Sequence, residues 1–145
     1  MSTRSRIAVK TKDGKIRSVY CHYDGYNNGE ILEEHYNSQE AAEGLIALGD
    51  LSYLEAKPAP EPGQAHSWEK PAEGVTVAYH RDRGEPWEVT KPEEAGSEEE
   101  LIEQGSVTDA EYIFLFENGR WRELVHEAWE EAGNREDLLI AEVPF

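Results

Sequence analysis

Asn118-Gly119 is the pair of residues that most constrains this chain. A two-residue hairpin loop of type I′ needs positive φ at both central positions, and Asn-Gly meets that need at little cost. The run before it, Glu111 to Glu117, alternates Tyr112, Phe114 and Phe116 with Ile113 and Leu115. The run after it, Arg120 to Leu124, returns. Asp13-Gly14 makes a second hairpin between Arg4–Lys10 and Lys15–Tyr23. In that second strand Ile16, Ser18, Tyr20 and His22 share one face, and Arg17, Val19, Cys21 and Tyr23 the other. Cys21 and His22 therefore point apart, which argues against a Cys/His catalytic couple.

Helical spacing appears from Gly29, where Ile31, Leu32, His35 and Tyr36 fall on one face. Asn37 and Glu40 have capping-box spacing ahead of a second helix, Gln39 to Leu48, with Gly49 as its stop. Leu51 and Leu54 return to the core in a short helical turn or loop. Pro58, Pro60 and Pro62 open an extended surface loop over residues 57–73. Gly74 to His80 alternates as a strand, Arg81 to Glu85 is a charged turn, and Trp87 to Thr90 returns as a strand. Ser97 and Glu100 form another capping box, for a short acidic helix to Gln104 with Leu101 and Ile102 inward. Beyond Leu124 the spacing predicts a helix from Val125 to Ala132, stopped by Gly133. Asp137 to Val143 is apolar enough to dock as either helix or strand. The expected fold is a single α+β domain over residues 1–145. It has an antiparallel sheet of five or six strands, two or three helices on one face, and a C-terminal extension at 126–145.

Thirty-one acidic residues against fourteen Lys and Arg give a net charge of −17. That balance opposes a nucleic-acid backbone as direct partner and opposes anionic membranes. It suits a basic protein partner, or a solvated acidic surface. The tracts Glu93–Glu103 and Glu123–Asp137 concentrate this charge. Cys21 is the single cysteine, so no internal disulfide forms, and a reducing cytoplasm is expected. The opening Met-Ser-Thr-Arg-Ser-Arg holds no apolar signal core, and no run has the length of a membrane span.

Two constellations carry chemistry. His22 and Asp24 share a strand side, and His35 lies on the helix that follows. Two imidazoles and a carboxylate suit zinc or another divalent ion. A hydrogen-bonded core pair is the commoner use of such residues. The second group is Arg81, Asp82, Arg83 and Glu85, a dense basic pair in an acidic chain. Two guanidinium forks on one turn can grip a phosphate or carboxylate, and the plainer use is internal ion pairing on a solvated turn. Trp68, Tyr79 and Trp87 are near enough in sequence to give that turn a stacking face. Tyr26 closes the list of ligand-binding candidates. His66, His80 and His126 stand isolated and are expected at the surface. No nucleophile–base order, phosphate-cradling glycine loop or zinc-type cysteine spacing is present, so no cofactor is indicated.

The opening Met-Ser-Thr-Arg-Ser-Arg-Ile and three further runs resemble a group of small hypothetical proteins of bacteriophages and prophages. These runs are Tyr20-Cys21-His22-Tyr23-Asp24-Gly25-Tyr26, Ala47-Leu48-Gly49-Asp50-Leu51-Ser52 and Ala78-Tyr79-His80-Arg81-Asp82-Arg83-Gly84-Glu85. The strand Glu111–Phe116, its hairpin and Trp121 fit the group too. The resemblance spans residues 1–125. Tyr23 and Asn27-Asn28 depart from the group's tryptophan and proline-containing turn. The resemblance implies a phage accessory protein in the host cytoplasm, acting by binding as an antagonist of a host defence system. It would cover a basic protein surface or sequester a small anionic, nucleotide-like signal. The alternatives are a metal-dependent hydrolase or nucleotide-processing enzyme built on His22, Asp24 and His35, and a structural or assembly component. Self-association is compatible with each.

Overall fold

In the computed structural model, residues 3–125 and 141–144 are described. Among these residues eight strands, numbered in chain order, form one sheet in the order β4-β3-β2-β1-β6-β7-β8, with β5 pairing on β2. β1 (Ser5–Lys10) and β2 (Ile16–Cys21) form the first hairpin, with Ile7 opposite Val19. β6 (Tyr112–Glu117) and β7 (Arg120–Val125) form the second, with Phe116 opposite Trp121. Its loop residues Asn118 and Gly119 have φ of 54° and 80°, as a type I′ turn requires.

The domain is α+β as expected, but its sheet is mixed rather than antiparallel throughout. β1 runs parallel to β6, with Ile7 beside Phe114. β2 runs parallel to β3 (Leu51–Tyr53). The second parallel pair follows from the connection: α1 (Gly25–His35) and α2 (Gln39–Ile46) carry the chain back across one face of the sheet before β3 begins.

Helices lie on both faces, not one. α1 and α2 cover Ile7, Val9, Val19, Cys21, Phe114 and Phe116 with Leu32, Tyr36, Leu45 and Ile46. On the other face α5 (Glu98–Val107) sets Leu101 and Ile102 against Ala8, Ile16, Ile113 and Leu115. The alternation of β6 predicts this, because both of its side-chain sets are apolar and a central strand with two apolar faces needs two covers.

The caps show how locally these helices are specified. Ser97 Oγ accepts the Glu100 N–H at 3.1 Å, as its spacing predicts, and Glu100 Oε1 accepts the Gly96 N–H at 2.8 Å. α2 is capped by Ser38, whose Oγ accepts the Ala41 N–H at 3.1 Å, and not by Asn37. α1 starts at Gly25, four residues before its apolar spacing begins.

The segment after the proline loop departs most from expectation. Only Val77–Ala78 forms a strand, β4, and Tyr79–Arg83 is a helical turn, α3. Trp87–Thr90 is a further helical turn, α4, and the strand comes later as β5 (Glu93–Ala95). Asp82 causes the first change, since its Oδ2 accepts the Ala78 N–H at 2.7 Å and closes the turn. Pro86 causes the second, sitting at φ −61° as the entry residue of α4. Val125 ends β7 instead of opening a helix, and the rest of the expected helix to Ala132 lies outside the described residues, as does His126. Ala141–Pro144 forms β8, antiparallel to β7. Among the described residues, no helix is long and apolar enough to cross a membrane.

Candidate functional site

Three of the runs named above meet at one corner of the sheet. Cys21 pairs with Leu51, and Leu51 with Ala78. The outer edge of β2 is shared by two short strands: β5 pairs with Ile16–Ser18 and β3 with Cys21. Between them the Tyr20 N–H would lack a partner. Asp50 supplies it through Oδ1 at 2.9 Å. The Asp50 backbone binds both flanking turns, its N–H donating to Thr90 O at 2.7 Å and its carbonyl accepting from Tyr79 N at 3.0 Å.

Burial raises the Asp50 carboxyl to about 6; the Tyr20 N–H and Arg6 oppose the rise, and Glu93 adds to it. The sign of the linkage follows directly. A carboxyl with a folded pKa above its free value of 3.8 contributes stability below that value and loses it as pH rises through 6. The loss is about 2 kcal/mol after allowing for partial solvent screening. Asp50→Asn keeps an oxygen for Tyr20 and removes the charge. Urea titrations between pH 4 and 7 should show the variant gaining on the parent as pH rises; equal slopes would reject this account of Asp50.

Beside Asp50 lies a buried cation. Arg6 Nε donates to Ser18 Oγ at 2.8 Å, and its Nη2 pairs with Glu93. On the same face Tyr20 Oη and His22 Nδ1 are 2.6 Å apart, and the His22 ring meets the edge of Tyr23 at 4.5 Å. Burial, then the charge of Arg4, holds the His22 pKa below its usual value.

The His22, Asp24 and His35 group does not assemble. Asp24 sits at the start of α1 with φ 59°, and His35 ends the same eleven-residue helix, about 15 Å further along at the rise of an α-helix. His35 is also not on the apolar face; its side chain is 40% exposed, 3.9 Å from Glu34. Leu32 and Tyr36 hold that face instead. Among the described residues no group of three or more His, Cys, Asp or Glu side chains is arranged to hold a metal ion. Cys21 is buried, and burial pushes its thiol up to about 12, so it is not a nucleophile at neutral pH. Tyr26 is 60% exposed and lines a separate groove with Glu30, Glu33 and Glu34.

The two arginines of α3 have different partners. Arg81 is consumed structurally: it donates to both Asp82 oxygens at 2.9 Å, to Pro58 O at 2.6 Å and to Thr76 O at 2.7 Å. Burial raises the Asp82 carboxyl, but Arg81 and the Ala78 N–H outweigh it and the net shift is downward. His66 joins this cluster and is not a surface residue; its side chain is 2% exposed, with Nε2 3.3 Å from Asp82 Oδ2. His66 Nδ1 accepts the Ala72 N–H, so the ring hydrogen is on Nε2. Together Arg81, Asp82 and His66 pin the 57–73 loop to the sheet. Glu85 contributes backbone: its N–H donates to Tyr79 O at 3.1 Å and its carbonyl meets His80 Nδ1 at 2.8 Å. His80 is exposed as expected and stands edge-on to Trp87.

Arg83 is held otherwise. Its guanidinium lies 4.7 Å from the Trp68 ring centre and 5.3 Å from that of Tyr79. Trp68 is 49% exposed, so this is a platform at the surface and not core. Among the described residues no carboxylate pairs with Arg83, although the chain carries a charge of −17. The sequence pointed to Trp68, Tyr79 and Arg83, and its resemblance runs include Tyr20 and Asp50, but nothing in it singled out Arg4. Hairpin register was the available signal for Arg4, which falls one step beyond the Ser5–Cys21 pair, opposite His22.

Comparison with family models, with curated proteins and with solved structures finds no match.

Proposed function

We propose that this chain is an accessory binding protein that captures a small anionic, nucleotide-like ligand at the corner formed by Trp68, Tyr79 and Arg83. In the phage setting that the sequence resemblance implies, such capture sequesters a signal of a host defence system. The stacked Arg83 carries the reading. Two rings lie against the guanidinium and restrict it, so less side-chain entropy remains to be lost when it grips a phosphate or carboxylate. The exposed Trp68 ring adjoins it as a surface on which a planar base can stack.

The separation of His22, Asp24 and His35 removes the support for metal-dependent hydrolysis. A basic protein docking on the acidic first turn of α5 is the competing partner. Side-by-side variants separate the two. With AMP as probe and tryptophan fluorescence as readout, Arg83→Ala should weaken binding by about tenfold or more, roughly one charge-assisted hydrogen-bonded contact. The double reversal Glu99→Lys, Glu103→Lys should leave AMP affinity nearly intact. The opposite pattern, or no AMP binding by the parent protein, rejects the proposal.

A further inference from the structure

We infer that His66 is a positioning residue of the Arg83 site: its seat beside Asp82 holds the Trp68 ring against the Arg83 guanidinium. The inference rests on the Arg83 reading above and says what keeps the stacking surface in place.

Trp68 sits on a stretch with little hold on the domain. Residues 61–70 are exposed or half-buried. Their hydrogen bonds all close within 61–72. The Gln64 N–H donates to Glu61 O at 2.9 Å, the Lys70 N–H to Ser67 Oγ at 3.0 Å, and the Ala72 N–H to His66 Nδ1 at 2.9 Å. Glu61 also makes a long surface pair with Lys57, at 3.9 Å. Among the described residues, two further polar or ring contacts leave this stretch, and both go to α3. His66 Nε2 lies 3.3 Å from Asp82 Oδ2, and the Trp68 ring centre lies 4.7 Å from the Arg83 guanidinium. His66 and Trp68 are two residues apart on the loop, and their partners are adjacent on α3. The two contacts therefore act as one clasp.

The halves of this clasp differ in strength. Trp68 is half exposed, and a cation–π contact open to water is weak. The His66 and Asp82 side chains are both buried. His66 Nε2 is sealed from solvent and makes no aligned hydrogen bond, so the neighbouring carboxylate is what offsets its burial. Asp82 is itself fixed, because its oxygens accept the Ala78 N–H at 2.7 Å and two Arg81 N–H groups at 2.9 Å. Those bonds do not involve His66. Loss of the His66 contact thus frees the Trp68 ring and spares α3 with its Arg83 donors.

The test compares AMP with ribose 5-phosphate, which carries the phosphate and lacks the base, by calorimetry. The parent protein should bind AMP about fivefold or more tighter, the share expected of base stacking. His66→Asn keeps an acceptor for the Ala72 N–H but is too short to reach Asp82. It should erase the AMP advantage and leave ribose 5-phosphate affinity unchanged. Trp68→Ala should do the same, and the double variant His66→Asn, Trp68→Ala should lose no more than either alone. His66→Gln, whose longer amide reaches Asp82, should restore most of the advantage. The Arg83 Nε–H proton resonance, measured without ligand, should shift alike in His66→Asn and Trp68→Ala as the ring leaves the guanidinium. An AMP advantage that survives His66→Asn but not Trp68→Ala overturns this inference and leaves the Arg83 reading standing. So does a parent protein with no preference for AMP, or an equal loss of both ligands in His66→Asn. Failure of Arg83→Ala to weaken either ligand overturns the Arg83 reading, and this inference with it.

Discussion

Phe114→Ala is expected to destabilise the domain by about 3–5 kcal/mol, the range for deleting a buried aromatic ring from a core that cannot collapse around the void. Phe114 is 1% exposed in a central strand. Its neighbours are held from three directions. β1 lies beside it, with Ile7 opposite, and the Tyr112 ring stacks parallel to it at 6.1 Å. Leu32 of α1 and Tyr36, the residue after its end, belong to the same core. Backbone ladders on both sides prevent the strands from closing the gap. Denaturant unfolding measures the loss directly. A change below about 1 kcal/mol would mean that the cover provided by α1 and α2 is not the main core.

Gly49→Ala should be comparably severe, at roughly 3–5 kcal/mol, for a different reason. Gly49 has φ +81°, and a Cβ there would lie 2.5 Å from the Thr90 carbonyl oxygen and 2.9 Å from the Trp87 ring. The carbonyl is backbone and is already committed, because it accepts the Asp50 N–H. It cannot retreat without releasing α4 from the sheet. Gly14 provides the internal control. Its φ is +82°, but a Cβ there meets nothing within 4 Å. Gly14→Ala should therefore show the left-handed strain alone, about 1–2 kcal/mol. The difference between the two midpoints in one denaturant series isolates the contribution of the collision. Equal losses would show that Thr90 does not crowd Gly49 in solution.

What the sequence specifies well is what a few adjacent residues decide. Asn118-Gly119, Asp13-Gly14 and the Ser97 cap are local chemistry, and each forms where its residues stand. The burial of Phe114 and Phe116 follows from alternation alone. Strand direction does not, because the pleat of β1 is the same whether its neighbour runs parallel or antiparallel. Trp87–Thr90 shows the limit of a short window: four residues alternate as well by chance as by design, and Pro86 turned them into a helix. His66 was misplaced because its partner, Asp82, is remote in sequence and is brought close by a loop of prolines. The proposed site was visible as an arginine turn with aromatic neighbours.

The parallel pairing of β1 with β6 has a consequence for the life of the chain on the ribosome. β1 leaves the ribosome long before β6, its partner on one side. The first hairpin can close early, but its apolar outer edge, with Ala8 and Val9, waits for Leu115 and Phe116. Until then the nascent protein carries an open strand edge, the kind of surface that recruits other chains. The middle of the sheet closes only once β6 has emerged, so this long-range pairing sets when folding can finish.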